Sequence, residues 1–388
     1  MRLEGWVKGL WWIWLLILLA GVPGGAVLAD AQSNARTEAL ALEQQGKNTD
    51  AEQIWKSIAE INPKDAEAQA QIGLLEARQG RYDAAVDSYR KALALQPEFP
   101  GLQMNLGLAL FKAARFPDAA KSFAIEMRRH PGDQRLTILL GMSHYGMGDY
   151  LVAIPYLRRA ADHDPQSLPL RLALAHSCLW SKQYECVLDV YKEILALNAD
   201  SAEASMLAGE ALDEKGDSAG AIAQFREAIK ANAKEPNVHF GLGYLLWKQS
   251  QFEEAAKEFQ AELDNDPAHA QARVYLGDAY VELNEYAKAG PELERAVASG
   301  YQSAMAHRDL GAVYANEGRN DAAVKQLQLA IELDPNDVAP HWRLAKLYQV
   351  EGDKEAAKAE FQKASAMNRQ ASEALREKIS GGQGEAQP

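Results

Sequence analysis

The sequence has almost no cysteine, two residues in 388, and none paired at a metal-motif spacing. Proline is scarce too, 15 residues against 47% hydrophobic and 24% charged, which excludes a disordered chain and points to a folded, helical one. Basic charge is short: 41 Lys and Arg stand against 54 Asp and Glu, a net charge of -13, with no basic patch. Nucleic acid and anionic lipid need such a patch to displace their counterions, so neither is an expected partner. No phosphate-binding glycine loop, zinc-protease helix motif or metal-ligand pair at helical spacing occurs, so no cofactor or metal is expected.

The N-terminus differs from everything after it. Residues 10–22 are an unbroken apolar run, preceded by Arg2 and Lys8 and ended by Pro23-Gly24-Gly25. Residues 1–29 therefore read as an export signal, with Val27-Leu28-Ala29 where a signal peptidase reads and Ala29-Asp30-Ala31 as second choice. The rival reading keeps the segment as an uncleaved anchor, because residues 9–29 just span a bilayer and Trp11, Trp12 and Trp14 suit its interface. No Cys follows the run to carry a lipid. The expected location is exported, periplasmic or secreted, with membrane attachment only if residues 1–29 are retained.

The rest of the chain is a repeat. Gly73, Gly107, Gly141, Gly209, Gly243, Gly277 and Gly311 lie on one 34-residue grid, whose other points hold Ala39, Ala175 and Ala345. Twelve residues on stand Ala51, Ala85, Ala119, Ala153, Val187, Ala221, Ala255, Ala289, Ala323 and Ala357. Four beyond each comes a large apolar side chain: Trp55, Tyr89, Phe123, Leu157, Tyr191, Phe225, Phe259, Leu293, Leu327 and Phe361. Pro63, Pro97, Pro131, Pro165, Pro267 and Pro335 close six units, and Gly46, Gly80, Gly148, Gly216, Gly318 and Gly352 supply a turn inside six.

This spacing has a physical reading. Small residues on two helices let the backbones cross near the short end of the usual range of about 8–10 Å. The large residue one turn later is expected to fill the wedge beside the crossing. A proline after the second helix cannot continue it, so each unit is an antiparallel helix pair with one face bare. Stability must then come from stacking neighbours.

The pattern resembles the tetratricopeptide repeat, with its small eighth residue, Ala at the twentieth, an aromatic at the twenty-fourth and Pro near the thirty-second. Ten units fit residues 32–371 without insertion or deletion. The resemblance implies an all-α fold, a right-handed α-solenoid superhelix of tandem helix-turn-helix repeats. First helices line its concave groove and second helices its outside. The expected organisation is a signal over 1–29, the array over 30–371, and a capping helix with a flexible tail over 372–388. Ala371, Leu375 and Ile379 form the cap's apolar stripe, and the tail begins at Gly381. Repeat five departs most, with Ala175, Lys182, Val187 and Ala199 at pattern positions, and Ala233 and Tyr301 replace prolines in repeats six and eight. These departures read as drift rather than as local changes of superhelical pitch.

The array takes up so much of this chain that no catalytic domain is expected beside it. His176 and Cys178, two apart on a helix, point away from each other. His144 and Cys178 occupy equivalent positions of adjacent repeats and read as core side chains. His239, His307 and His341 share the fourth position, where packing explains them better than metal binding. Cys178 and Cys186 flank the turn of repeat five, the place for either a disulfide or two separate core residues. Two grooves of the resembled family are absent. Leu40, Leu74, Ala70 and Gly101 stand where a carboxylate clamp needs Lys, Arg and Asn. Of the sixth-position asparagine ladder only Asn105 is present, beside Gln71, Leu139, Ala173 and Leu207.

The expected function is a non-catalytic scaffold that holds a partner polypeptide in the groove; the alternative is a membrane-tethered structural subunit of an envelope assembly. The ninth position, one beyond the crossing, is expected to face the groove. It reads Leu40, Leu74, Leu108, Met142, His176, Glu210, Tyr244, Asp278, Ala312 and Lys346. Met104 and Phe111 flank Leu108, and Ile138 and Tyr145 flank Met142. Later repeats offer Glu210, Asp213, Glu214, Asp278 and Glu282 around an aromatic patch of Phe240, Tyr244 and Trp247. The expected partner thus carries an apolar segment for repeats one to four and a basic flank for repeats six to eight.

Overall fold

The computed structural model describes residues 24–381, which form 20 α-helices and no strand. Expected residues of the signal (1–23) and of the tail (382–388), and the side chains of Leu375 and Ile379, lie outside the described residues. The helices alternate as first and second members of pairs on the 34-residue grid, for example Ala66–Arg78 with Tyr82–Leu95 and Ala202–Glu214 with Ser218–Ala231. The chain is an all-α solenoid of tandem helix-turn-helix repeats. It divides into two compact units, one ending at Ser177 and the next starting at Cys178, inside the Leu168–Trp180 helix of repeat five.

Each turn is closed the same way. The fifteenth residue of every repeat has a positive φ: six glycines, Gly46 to Gly352, and Ala114, Lys182, Ser250 and Asn284. The next residue's N–H reaches back to a carbonyl five residues earlier, as in Arg81 to Glu76 (2.9 Å), Gln183 to Cys178 (2.8 Å) and Arg319 to Tyr314 (2.8 Å). This Schellman closure satisfies carbonyls that the helix end would leave bare. The geometry belongs to the position, and four repeats reach it without glycine. First helices start on Asp65, Ser201 and Ser303, whose side chains accept from the N–H of Ala68, Ala204 and Ala306. Pro100 and Pro236 delay that start to Leu102 and Val238, with Gly101 (φ 70°) and Asn237 (φ 66°) left-handed before them.

The crossing differs from its expected form. The large residue at the twenty-fourth position does not sit in a wedge beside the crossing; it lies on the glycine itself. A methyl group at Gly107 would stand 2.5 Å from a ring carbon of Phe123, at Gly209 2.8 Å from Phe225, and at Gly277 2.5 Å from Leu293. Tyr89, Phe123 and Leu157 are fully buried this way in the first unit, and Phe259, Leu293 and Leu327 in the second; Trp55 is fully buried too, in the repeat that crosses at Ala39. Tyr191 and Phe361 are only half-buried.

The ends also differ. The first helix begins at Gly24 and runs through Ala29 to Gln44. No separate capping helix starts at 372: the last helix runs unbroken from Lys354 to Gly381, Gly381 included. Arg369 occupies the place of the closing proline, which permits the longer helix without requiring it: Ala233 holds the same place in repeat six, whose second helix ends at Ala231.

Candidate functional site

In the first unit the expected groove residues fall on one series of first helices and none is buried. Leu40 is 43% and Leu108 38% exposed. Leu74, Met142, Met104, Phe111, Ile138 and Tyr145 are half-buried. Met104 and Phe111 pack against the core of repeats two to four, and Phe111 meets Phe116 edge-on at 5.3 Å. Tyr145 meets Tyr150 the same way at 6.0 Å. The flanking aromatics therefore brace the turns, and the leucines are what the surface offers.

In the second unit Phe240, Tyr244 and Trp247 do come together. Phe240 stacks on Tyr244 at 6.4 Å and Tyr244 on Trp247 at 6.1 Å. Tyr275, which sequence reasoning missed, stands edge-on to Trp247 at 5.0 Å and to Tyr244 at 5.6 Å. Its signal was its sixth position in repeat eight, on the face that the ninth position shares.

The ninth position does not always face the groove. Asp278 and Ala312 are buried, which corrects the expectation for both. Asp278 accepts the Trp247 indole N–H (2.5 Å) and the Arg308 guanidinium (2.5 Å). Arg308 also holds the fully buried Asp309 at 2.8 Å and lies 3.7 Å from Asp337. Burial, against the attraction of Arg308 and with Asp278 adding to it, pushes the Asp309 carboxyl up to about 7. Burial works against the charged Arg308, but Asp309, Asp278 and Asp337 outweigh it and raise its pKa.

The acidic residues of repeats six to eight are also partly taken. Lys248 donates to both Asp213 oxygens (2.8 and 2.9 Å), and the Tyr184 hydroxyl donates to Glu214 (3.1 Å). Glu210 and Glu282 are exposed.

The fourth-position histidines each find a partner at the twenty-third position of their own repeat. His239 meets Glu258 at 2.6 Å, His307 meets Gln326 at 2.6 Å and His341 meets Glu360 at 2.5 Å. Arg273 and Glu292 repeat the pairing in repeat eight at 2.5 Å. These are staples between the two helices of a pair. His144 Nδ1 lies 3.2 Å from Asp149, and its ring stacks on Tyr156. Among the described residues no group of three or more His, Cys, Asp or Glu side chains could hold a metal ion. Cys178 and Cys186 are joined as a disulfide, with Cα atoms 5.8 Å apart, which removes both from any nucleophilic role.

Stacked helix pairs whose polar side chains staple one helix to the next, and whose first helices carry the apolar and aromatic surface, define a helical-repeat scaffold. The chain belongs to the tetratricopeptide repeat family. Models described as tetratricopeptide repeat match residues 104–168 and 240–298, 144–207, and 339–370; one described as TPR repeat matches 73–113, 209–250 and 311–352. Proteins of this kind bind protein or peptide partners and are typically non-catalytic. The BBSome complex member BBS4 of Bos taurus is 23% identical over 208 residues, 54% of this chain and 40% of that protein. The peroxisomal targeting signal receptor of Kluyveromyces lactis is 29% identical over 101 residues, 26% of this chain and 17% of the receptor. The chain thus spans less than half the length of these curated relatives. The solved structure of YrrB, described as a TPR protein with an unusual peptide-binding site, is 22% identical with a TM-score of 0.41. It covers 49% of this chain and 97% of its own.

Proposed function

We propose that this protein is a non-catalytic scaffold that holds a partner polypeptide on its first helices. An apolar segment docks on Leu40, Leu74, Leu108 and Met142, and basic side chains meet the acidic residues of repeats six to eight, the buried Asp278 excepted. The observation that carries this reading is the exposure of Leu40 and Leu108. Both follow a crossing residue, and the family's function gives a use for apolar side chains left in water there. The scaffold works in an exported compartment. The apolar run over 10–22 supports that, as does the Cys178–Cys186 bond, which persists where thiols are not kept reduced.

The test is the double substitution Leu108→Glu with Met142→Glu, assayed for binding of partners captured by the full chain from its native host. Binding is expected to be lost while helicity and melting stay nearly unchanged. Retained binding, or an unfolded array, overturns the groove assignment. The second reading, a tethered subunit, rests on the helix Gly24–Gln44 passing through the cleavage point without a break. Mass spectrometry of the native N-terminus separates the two: Asp30 or Gln32 marks an exported scaffold, and Met1 an anchored one.

A further inference from the structure

The second unit holds a cleft of about 500 Å3 among repeats five, six and seven, larger than one side chain and within the usual range of ligand sites. Its base includes the buried Phe225 and Leu245. Trp180, half exposed at 50%, contributes with Phe240 and Tyr244 a set of aromatic faces. Glu210, Asp213 and Glu214 bring three carboxyl groups to the lining, against one cation, Lys182.

Two features say what such a lining accepts. The first is Lys248, whose ammonium donates to both Asp213 oxygens and stands 5.7 Å over the Tyr244 ring. The protein's own chain thus already shows this surface holding an alkylammonium between a carboxylate and an aromatic face. The second is the Cys178–Cys186 bond. It brackets the segment that gives the cleft Leu179, Trp180, Lys182 and Tyr184, so that wall is held in place before any ligand arrives. The Tyr184 hydroxyl on Glu214 ties the same segment to repeat six.

We propose that this cleft binds an extended peptide segment in which a lysine or arginine stands beside a large apolar side chain. The apolar side chain lies against Trp180, Phe240 and Tyr244. The cation meets Glu210 and Glu214, next to the carboxylate that Lys248 occupies. The inference rests on the partner-scaffold reading but places a specific contact in repeats five to seven, apart from the leucines of the first unit.

The experiment is selection of random linear peptides on the full chain with its disulfide intact, followed by anisotropy measurements on synthetic copies of the enriched peptides. Basic residues next to Trp, Phe or Leu are expected among them. Replacing the basic residue by norleucine, or the protein's Glu210→Gln with Glu214→Gln, should weaken binding by about tenfold, as should Trp180→Ala. Leu108→Glu with Met142→Glu should leave these peptides bound. Enriched peptides without a basic residue, or binding untouched by the carboxylate pair and by Trp180→Ala, overturn the inference. Peptides lost on the leucine variant alone keep the scaffold reading and reject the cleft. A selection that enriches nothing rejects both.

Discussion

Gly107→Ala adds one methyl group to the middle of the helix Leu102–Lys112, and two opposed terms set its sign. Alanine favours a helix interior over glycine by about 0.8–1 kcal/mol. Against this, the new carbon would stand 2.5 and 2.7 Å from Cε1 and Cδ1 of Phe123. Carbon atoms settle at roughly 3.5–4.0 Å, so ring and helix must part by about 1 Å. Phe123 is fully buried and has nowhere to swing, and overpacking of this kind costs about 1–3 kcal/mol. The expected net effect is a loss of about 1–2 kcal/mol. Gly141→Ala, one repeat on, is the control. Its nearest neighbours are Leu157 Cδ2 and Tyr156 Cβ, both at 3.1 Å, so a small yield suffices and helix propensity wins. That substitution should be neutral or stabilise by up to about 1 kcal/mol. Ala39, Ala175 and Ala345 already occupy this position in three repeats, so neither variant should lose the fold. Urea unfolding followed by circular dichroism reads the difference, and hydrogen exchange assigns it to repeats three and four. Equal shifts, or a more stable Gly107→Ala protein, would refute the contact argument.

Ala114→Gly relieves a left-handed alanine (φ 55°) and should stabilise by roughly 0.5–1 kcal/mol in the same assay; a loss would mean the turn tolerates a side chain without strain. Reducing the Cys178–Cys186 bond opens a short loop and should cost about 2–3 kcal/mol, seen as a lower melting temperature that Cys178→Ala with Cys186→Ala reproduces. Unchanged melting would contradict it. Asp309, raised from 3.8 to about 7 by burial, is favoured in its protonated form by the fold. Its contribution is complete below about pH 4 and fades as pH rises through about 7, so over that window the native chain should lose stability relative to Asp309→Asn. A difference independent of pH would refute it.

The helix pairs were legible because the features that build them are periodic and local. Glycine at the eighth position and alanine at the twentieth recur with the turn, and each repeat's two helices follow from them. The contact between Gly107 and Phe123 was not legible, because the spacing places the ring near the crossing without saying which atoms it covers. The turn at the fifteenth position was read only where glycine marked it. Ala114, Lys182, Ser250 and Asn284 adopt the same φ because the helix end on one side and the packed second helix on the other leave the chain no other path. The unbroken last helix escaped because a missing proline, here Arg369, permits a longer helix without requiring one; Ala233 holds the same place after a helix that ends at Ala231.

The surface was harder to read than the core, and the ninth position shows why. A position number fixes which way a side chain leaves its own helix, but its exposure depends on what the next repeat brings. At Leu108 the neighbours leave it open; at Asp278 repeat seven supplies Trp247 and repeat nine supplies Arg308, and both close over it. Asp278 therefore cannot meet a partner's basic residue as its place in the grid suggested. It instead anchors the indole of the aromatic patch. The same reasoning explains the histidines: the fourth position alone gave no partner, and only the facing twenty-third residue, Glu258, Gln326 or Glu360, turns each into a staple. In a repeat protein, periodicity assigns a residue to a face, and the pairing between columns decides whether that face is free to bind.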